Sequence, residues 1–306
     1  MDISVIIPTF NAERYLPTLL KKLSHQTVSF ELIIIDSSST DNTLQIAKQY
    51  TDHIMTIPQS EFDHGGTRTK AAKRAKGAFL VFLTQDALPC TDDAIETLLM
   101  PFQDTQVAAV YGRQLPYEST SLFGKHLRAF NYPETSYVRT IEDASTYGIK
   151  TAFLSDSFAA YRRSAMEEVD WFKNGLIVGE DTHIGAKLLQ KGYAIAYAAD
   201  AQVFHSHSYS PVEEFQRYFD IGVFHTKEEW ILKHFGKAEG EGGRYVKSEL
   251  SYLIDQKAWL RIPEFFLRNA MKYTGYKLGR QYEKLPQSLV RKLSMHTGWW
   301  EKAWSH

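Results

Sequence analysis

Three aspartates that could take part in chemistry stand at widely separated points of the chain. Asp36 and Asp86 each follow an apolar run, and Asp181 precedes a helical pattern. A carboxylate in such a place can accept a hydrogen bond from a ligand, bind Mg²⁺ or Mn²⁺, or remove a proton. Asp86 is the best metal candidate of the three. We expect the carboxyl groups of Asp36, Asp86 and Asp181 to meet around one hollow.

Two histidines, His205 and His207, flank Ser206 just after the last predicted strand. In an extended segment, alternate side chains point to the same side, so either imidazole could be a metal ligand. The alternative is that both are ordinary polar surface residues. Of the two we favour His205, and the sequence leaves His207 open.

The aspartates also have purely structural interpretations. Asp36 could cap the Ser-Ser-Ser-Thr turn that follows it. Asp181, together with Glu180, could cap its own helix, where the helix dipole would keep the carboxylate ionised. A capping role explains Asp86 less well, because Thr91–Asp93 lie closer to the next helix.

A glycine pair, Gly65-Gly66, opens a predicted basic helix and is followed by Arg68. Free backbone N–H groups at a helix start, combined with a guanidinium, suit a phosphate. We therefore expect Gly66 and Arg68 to contact a phosphate group. The other cations of this helix are expected to form a solvated face.

The first 115 residues alternate short apolar runs with helical patterns, which predicts βαβ units and a mostly parallel sheet. The predicted strands are Ile3–Ile7 (closed by Pro8), Glu31–Ile35, His53–Ile57 and Ala78–Leu83. The predicted helices begin near Asn11 as N-cap, after Ser39–Asp41 and at Gly65. The later helices are 121–130 and 181–191, and a strand covers 194–197. From Pro211 onward the pattern is helical, with breaks at 236–243, Pro263 and Pro286.

Ligands of open α/β sheets bind at the carboxyl ends of the strands, so the loop Pro8–Asn11 should lie on the same rim as the aspartates. This loop has no Gly-x-Gly-x-x-Gly pattern, and the chain has no Gly-x-x-x-x-Gly-Lys-Ser/Thr pattern. The sequence therefore excludes a dinucleotide-binding fold and a P-loop NTPase.

Charge and composition exclude further classes. The 35 Lys and Arg nearly balance the 36 Asp and Glu, which argues against nucleic acid as a partner. The single cysteine, Cys90, suits a reducing compartment. The N-terminal residues do not resemble a signal peptide, and no apolar stretch is long enough to span a membrane. We expect a cytoplasmic location.

The C-terminal part differs from the rest in charge. Residues 244–306 hold twelve Lys and Arg but five Asp and Glu, together with four of the six tryptophans. Apolar and basic residues alternate in residues 245–306, which predicts helices lying on an anionic membrane surface. The alternative is that these helices pack on the body or on a second subunit.

Four motifs in order resemble glycosyltransferase family 2, a family of inverting enzymes that have the GT-A fold and use nucleotide sugars. They are Val5–Asn11, Asp36–Thr43, Thr84–Ala87 and Gly179–Asp181. The resemblance covers residues 3 to about 207. Within the family, Asp36-Ser-Ser-Ser-Thr-Asp41, Phe62–Arg68 and Gln85-Asp86 look most like bacterial rhamnosyltransferases that use dTDP-L-rhamnose.

The resemblance implies an α/β fold of GT-A type, with a mostly parallel Rossmann-like sheet, helices on both faces and a helical C-terminal extension. Residues 1–210 would be the catalytic domain, with a nucleotide-binding half (1–115) and an acceptor and metal half (116–210). Residues 211–306 would be the helical region. The implied donor-binding residues are Pro8, Thr9, Phe10, Asn11, Asp36, Ser38, Gly66, Arg68, Gln85 and Asp86.

The resemblance also implies roles at the reacting centre. Asp36 would accept the base imide N–H, and Gln85 could contact the ribose. Asp181 would be the catalytic base, and Asp156 and Glu180 would bind sugar or acceptor. Asp86 with His205 (or His207) would hold Mg²⁺ or Mn²⁺.

The implied reaction moves L-rhamnose from dTDP-L-rhamnose to a lipid-linked glycan at the inner face of the cell membrane. A homodimer is possible. Two alternatives remain. One is a transferase that uses a UDP-hexose, and the other is a catalytically silent sugar- or membrane-binding module.

Overall fold

The computed structural model describes residues 2–236 and 239–304. Its strands are β1 (Ile3–Thr9), β2 (Glu31–Asp36), β3 (Ile54–Thr56), β4 (Phe79–Leu83), β5 (Leu88–Pro89), β6 (Val107–Leu115), β7 (Tyr137–Arg139), β8 (Phe158–Arg162) and β9 (Ala194–Phe204). Its helices are α1 (Leu16–Leu23), α2 (Thr43–Ala47), α3 (His64–Arg74), α4 (Ala94–Leu99), α5 (Leu122–Asn131), α6 (Ala144–Tyr147), α7 (Arg163–Glu168), α8 (Glu180–Gln190), α9 (Pro211–Lys227), α10 (Glu229–Phe235), α11 (Glu239–Asp255), α12 (Ile262–Gly279), α13 (Gln287–Leu293) and α14 (Thr297–Trp304). Within these ranges, none of the helices is both long enough and apolar enough to cross a bilayer.

The strands form one sheet in the order β3-β2-β1-β4-β8-β6-β9-β5, with β7 paired to β9. Neighbours from β3 to β4 run parallel. Strand β8 runs antiparallel to both β4 and β6, whereas β6 and β9 are parallel. The predicted α/β fold is confirmed. The parallel pairing holds for the N-terminal half of the sheet, and the C-terminal half is mixed.

Two apolar cores cover the two faces of the sheet, because alternate strand residues point to opposite sides. On one face Val5 and Ile7 pack with side chains of α1 and α4. On the other face Ile6 packs with side chains of α3, α8, α9 and α14. Helices therefore lie on both faces, and one layer includes helices from the C-terminal part.

The first loop differs from its prediction. Pro8 does not end β1, which continues to Thr9, and α1 begins at Leu16 and not at Asn11. Asn11 has a φ of 46°, and its Oδ1 accepts a hydrogen bond from the Thr40 backbone N–H at 2.9 Å. Asn11 is thus tied to the next loop, so it cannot cap its own helix.

The C-terminal helices pack on the sheet more extensively than the charge pattern predicts. Trp300 is 1% exposed and belongs to the core. The alternative of packing on the body is therefore correct for this part of the segment. Pro263 lies in the first turn of α12 and does not break it. Helix α11 starts inside the predicted 236–243 break, of which 237 and 238 lie outside the described residues, as do 305 and 306 of the tail.

Candidate active site

A two-residue strand that the sequence does not predict brings Asp86 to the two histidines. Strand β5 runs antiparallel to the end of β9, with Leu88 opposite Phe204. Asp86 stands just before β5 and His205 just after β9, so the pairing aligns their side chains. His205 Nε2 lies 3.5 Å from Asp86 Oδ1, and His207 Nε2 lies 3.8 Å from Asp86 Oδ2. One candidate ligand atom from each residue lies within 4.8 Å of the others.

Gln114, which the sequence analysis missed, orients His205. The Gln114 side chain donates through Nε2 to Ser155 Oγ at 2.8 Å, so its Oε1 is left to face His205 Nδ1, also at 2.8 Å. An amide oxygen can only accept, so Nδ1 carries a proton, and in the neutral imidazole Nε2 then presents its lone pair toward Asp86. An outer hydrogen bond of this kind fixes the tautomer of metal-binding histidines.

The Asp86, His205 and His207 cluster fits a divalent cation. Two ligands at about 2.1 Å from one ion lie about 3 to 4.2 Å apart, depending on the angle between them. The distances of 3.5 and 3.8 Å fall in this range. Burial alone would raise the pKa of Asp86, but at the acidic pH where this carboxyl titrates the neighbouring imidazoles of His205 and His207 are protonated, and the hydrogen bond from His205 and the two positive charges lower the pKa to about 2. Burial lowers the pKa of His207 to about 4, so this imidazole is neutral at pH 7 and its nitrogen can coordinate.

Arg68 stands at the centre of a second cluster. Its guanidinium lies 3.4 Å from Asp156 Oδ2 and 3.2 Å from Glu180 Oε1, and all three side chains are almost fully buried. Tyr161 donates to the other oxygen of Asp156 at 2.6 Å. Asp156 Oδ2 and Arg68 Nε are both buried and make no hydrogen bond, so the ion pair between these two atoms is the contact that holds them.

Asp181 lies next to this cluster, and the charges of the cluster change the pKa of its carboxyl group. Burial, followed by the negative charges of Glu180 and Asp156, raises the pKa of Asp181 to about 8. The expectation that the helix dipole keeps it ionised is wrong, because burial and two carboxylates outweigh the dipole. Burial likewise raises the pKa of Asp156 to about 6. For Glu180, burial is outweighed by the charge of Arg68, which lowers its pKa.

Glycine 179 sets the direction in which α8 begins. It adopts a left-handed backbone with a φ of 79°. A Cβ at this position would lie 2.9 Å from the Phe224 ring. Glycine alone satisfies both conditions, and it places Glu180 and Asp181 at the first turn of α8.

One cavity of about 560 Å³ joins the two clusters. Its lining includes Arg68, Asp86, Asp156, Glu180, Asp181, His205 and His207. The prediction that Asp86 and Asp181 share a hollow is confirmed, and Asp156, Glu180 and Arg68 belong to it as well. It is a polar cleft that has the Asp86, His205 and His207 cluster in one part and the Arg68 cluster in another.

Asp36 does not join this cavity, and that part of the prediction is wrong. Its carboxylate is fully buried. One oxygen accepts from the Ser39 N–H at 2.8 Å, and the other accepts from the Ser39 and Thr9 hydroxyls at 2.5 and 3.0 Å. The interpretation as a turn cap is correct, because protein donors already occupy the carboxylate. A direct contact between Asp36 and a nucleobase stays a prediction, and it would require the carboxylate to give up one of these bonds.

The loops after β1 and β4 are joined at the same rim. Gln85 Oε1 accepts from the Phe10 N–H at 2.9 Å, and Gln85 Nε2 donates to the Phe10 carbonyl at 3.2 Å. The Gln85 amide is thus occupied, and a ribose contact would have to replace one of these bonds. Phe10 is 38% exposed, so it is not a core residue and its ring lies open to a ligand. Thr9 is buried and holds Asp36, while Pro8 is half-buried.

The expected phosphate site at the start of α3 is also corrected. The Gly66 N–H donates to the N-cap Asp63 at 2.6 Å, and the Arg68 charge is neutralised by Asp156 and Glu180. Gly66 lines a different cavity, which shares His64, Met295 and His296 with the first one. Ser38 is exposed, with a φ of 62°, and its hydroxyl donates to the Ile57 carbonyl at 2.8 Å.

Sequence reasoning found the acids and histidines, but it missed the groups that orient them. Gln114, Ser155 and Tyr161 all lie in strands or loops whose pattern signals only burial. Their functional contacts depend on neighbours distant in the sequence, which a single sequence does not show.

Comparison with known proteins places the chain among transferases. Two proteins are each 46% identical to it over 303 residues: the O-antigen chain rhamnosyltransferases RfbN of Salmonella typhimurium (98% of this chain and 96% of RfbN covered) and WbaN of Salmonella anatum (97% and 95%). The family model for glycosyl transferase family 2 matches residues 4–170.

Solved structures show the same fold at low sequence identity. A mannosyltransferase, PcManGT from Pyrobaculum calidifontis in complex with GDP-Man and Mn²⁺, superposes with a TM-score of 0.65 at 16% identity, covering 92% of this chain and 88% of that one. TarS 1–349 of S. aureus in complex with UDP gives 0.54 at 18% identity, covering 93% and 91%. The fold, the match of the family model and the long alignments agree, so the chain belongs to glycosyl transferase family 2 and is a glycosyltransferase.

Proposed function

We propose that the protein is an inverting rhamnosyltransferase that builds a cell-surface polysaccharide. It transfers L-rhamnose from dTDP-β-L-rhamnose to a hydroxyl of a lipid-linked glycan and leaves an α-linkage. Support for the sugar comes from the 46% identity, over nearly the whole length, to two O-antigen chain rhamnosyltransferases. The observation that carries the chemistry is the shared cavity, which joins an Asp/His/His cluster to the half-buried Asp181 carboxylate, whose pKa is about 8.

Asp86, His205 and His207 would hold the divalent cation in this proposal. Such an ion neutralises the charge that develops on the diphosphate as it leaves. One carboxylate and two imidazoles favour a transition metal such as Mn²⁺ over Mg²⁺, which prefers oxygen ligands. Gln114 would keep the lone pair of His205 Nε2 directed at the ion.

Asp181 would be the base. The acceptor oxygen attacks the anomeric carbon of rhamnose from the face opposite the diphosphate, and a new C–O bond forms as the old one breaks. Asp181 takes the proton of the acceptor hydroxyl, and dTDP leaves with the electron pair of the broken bond. A carboxylate with a pKa of about 8 is a far stronger base than one in water, so proton transfer is favoured at neutral to alkaline pH.

Asp156, Glu180 and Arg68 would position the sugar. Asp156 and Glu180 line the cavity, where their carboxylates could accept from sugar hydroxyls, and the Arg68 guanidinium holds both carboxylates in place. Phe10 offers an exposed ring at the rim on which the base of the nucleotide could stack.

The acceptor would approach from the side of α3 and α14. A larger cavity of about 1340 Å³ lies there, and His64, Met295 and His296 line both this cavity and the catalytic one. Phe62 and Trp299 add aromatic surface to its lining, and Asp63 and Glu301 add polar groups. A cleft of this composition suits a glycan, which needs both apolar faces and hydrogen-bond partners.

The test is nucleotide release from a panel of donors in the presence of Mn²⁺. We expect release from dTDP-L-rhamnose to be about tenfold faster or more than from UDP-glucose or UDP-galactose. Faster release from a UDP-hexose would replace the donor assignment. Asp181→Asn is the control: it should abolish release while calorimetry shows unchanged dTDP binding. If the wild type binds dTDP but releases nucleotide from no donor, a silent binding module is the better description.

A further inference from the structure

Helix α12 exposes several large apolar side chains and buries two of its charged ones. The side chains of Arg268 and Lys272 are 7% exposed. By contrast, Phe266, Leu267 and Tyr273 are 63%, 53% and 64% exposed. A helix on the surface of a water-soluble protein normally has the opposite arrangement. The outer face of α12 therefore lacks the polar character that contact with water alone would favour.

Ion pairs with neighbouring helices fix this orientation. Arg268 Nη1 lies 3.2 Å from Glu214 of α9, and Lys272 Nζ lies 3.5 Å from both Glu214 and Glu249 of α11. Gly275 contacts the backbone of α9 so closely that a Cβ would clash with it. Rotating α12 to hide its apolar face would strand two buried acids and push side chains into α9, so the face is held outward.

The apolar face extends into the turn that precedes α12. Trp259 is 60% exposed and Leu260 is 96% exposed. We call the exposed, uncharged set the α12 patch: Trp259, Leu260, Pro263, Phe266, Leu267, Ala270, Tyr273 and Thr274. Residues 263–274 alone span about 17 Å of helix. A contiguous apolar surface of this extent marks an interaction site.

Basic side chains border the patch. Lys257 and Arg261 are exposed at the end that carries the turn, and Lys277 lies 5.6 Å from the Tyr273 ring at the other end. The neighbouring acid Glu264 is engaged by Arg261 and Arg268, and Asp255 is the exposed acid of this region. Trp and Tyr, flanked by Lys and Arg, are the residues that favour the boundary between water and lipid.

We propose that the α12 patch docks the protein on an anionic phospholipid bilayer, with Trp259 and Leu260 inserted among the headgroups. Leu260 has almost no protein around it, so it forms a convex tip. A soft lipid surface accommodates such a tip more readily than a flat interface with a second copy of the chain does. Docking of the α12 patch rests on the proposed function only for its biological purpose. That purpose is to bring the cavity to a lipid-linked acceptor.

The test compares two variants on vesicles. Leu260→Glu combined with Phe266→Glu places charges in the patch, while Met100→Glu changes another apolar residue that is 57% exposed and lies outside the patch. Vesicles contain equal parts of phosphatidylglycerol and phosphatidylethanolamine, or phosphatidylcholine alone. We expect the wild type and Met100→Glu to sediment with the anionic vesicles, and the double variant to bind them about tenfold more weakly or worse.

Equal binding of the double variant and Met100→Glu overturns the proposal, as does a wild type that stays in the supernatant. Light scattering tests the rival occupant: a wild-type dimer that the double variant splits would assign the face to a second copy. Release of nucleotide from dTDP-L-rhamnose without vesicles should be the same in all three proteins. If no release occurs while vesicles are bound, the proposed function fails and the docking surface stands.

Discussion

At the residue scale, the partial removal of Asp181 from water, together with the charges of Glu180 and Asp156, is what makes this carboxylate a strong base. Because its pKa is about 8, the carboxylate is largely protonated at pH 6 and mostly ionised at pH 9. Only the ionised carboxylate can remove the proton from the glycan hydroxyl. The value of kcat/KM should therefore rise about tenfold per pH unit below pH 8 and level off above it. Initial rates between pH 5.5 and 9.5 measure this dependence. A flat profile would exclude Asp181 as the titrating base.

A variant of the neighbouring acid tests the cause of that shift. The charge of Asp156 helps to raise the pKa of Asp181. Asp156→Asn removes the charge and keeps the shape of the side chain, so the midpoint of the pH profile should move to lower pH even if the maximum rate falls. A rate loss with an unmoved midpoint would mean that Asp156 acts on the substrate without tuning Asp181.

Gln114 provides a second test at this scale, because it contacts His205 and not the cation. Gln114→Leu removes the acceptor of the His205 Nδ1 proton, and we expect the affinity for Mn²⁺ to fall about 10- to 100-fold. Gln114→Glu keeps an acceptor at the same place and should retain binding. Calorimetric titration with Mn²⁺ measures both variants. Equal affinity in all three proteins would mean that the histidine needs no orienting partner.

At the element scale, the left-handed turn before α8 determines where Asp181 points. In Gly179→Ala the new methyl group meets the Phe224 ring in addition to the backbone strain. Gly192→Ala is the matched control, because it has a φ of 93° but nothing within 4 Å of the new Cβ. We expect losses in unfolding free energy of about 2 to 4 kcal/mol for Gly179→Ala and about 1 kcal/mol for Gly192→Ala, measured with urea.

Activity should separate these two glycine variants further. The clash displaces the first turn of α8, so Gly179→Ala should also lose turnover, and adding Phe224→Leu should restore part of it. Gly192 lies at the other end of α8, and its variant should keep wild-type turnover. If both alanine variants lose turnover equally, strain in α8 as a whole, and not the position of its first turn, explains the effect.

The contrast between predicted and missed elements follows from the range of the interactions. The apolar runs that became β1, β2 and β4 carry their signal locally, so these strands, and the acids near the ends of β2 and β4, could be predicted. Strand β5 could not be, because Leu88 and Pro89 have no strand pattern and depend entirely on Phe204, more than a hundred residues away. Asp36 shows the same limit. Its position at the end of the β2 run was predictable, but the Thr9 hydroxyl that occupies its carboxylate comes from another strand.

At the scale of the whole molecule, the C-terminal part is divided between core and surface. The same basic, aromatic composition predicted one membrane-facing segment. In the structure, Trp300 is buried against the sheet layer, whereas Trp259 is 60% exposed in the α12 patch. Composition could not distinguish them, because burial depends on which helix reaches the core. The segment therefore both completes the fold and offers a surface to a partner.

These two tryptophans give the prediction that tests this division. Trp300→Ala would leave a cavity among residues that include Tyr282 and Trp304, whose rings lie 5.5 and 5.0 Å from the Trp300 ring. We expect it to reduce the free energy of unfolding by about 3 to 5 kcal/mol. Trp259→Ala removes a side chain that is mostly in water, and the change should stay within about 0.5 kcal/mol. Urea unfolding followed by circular dichroism measures both without relying on tryptophan fluorescence. Similar losses of unfolding free energy for the two variants would mean that the C-terminal helices pack as a unit that does not share the core of the sheet. The expected contrast would make α14 as much a part of the catalytic fold as the strands it covers.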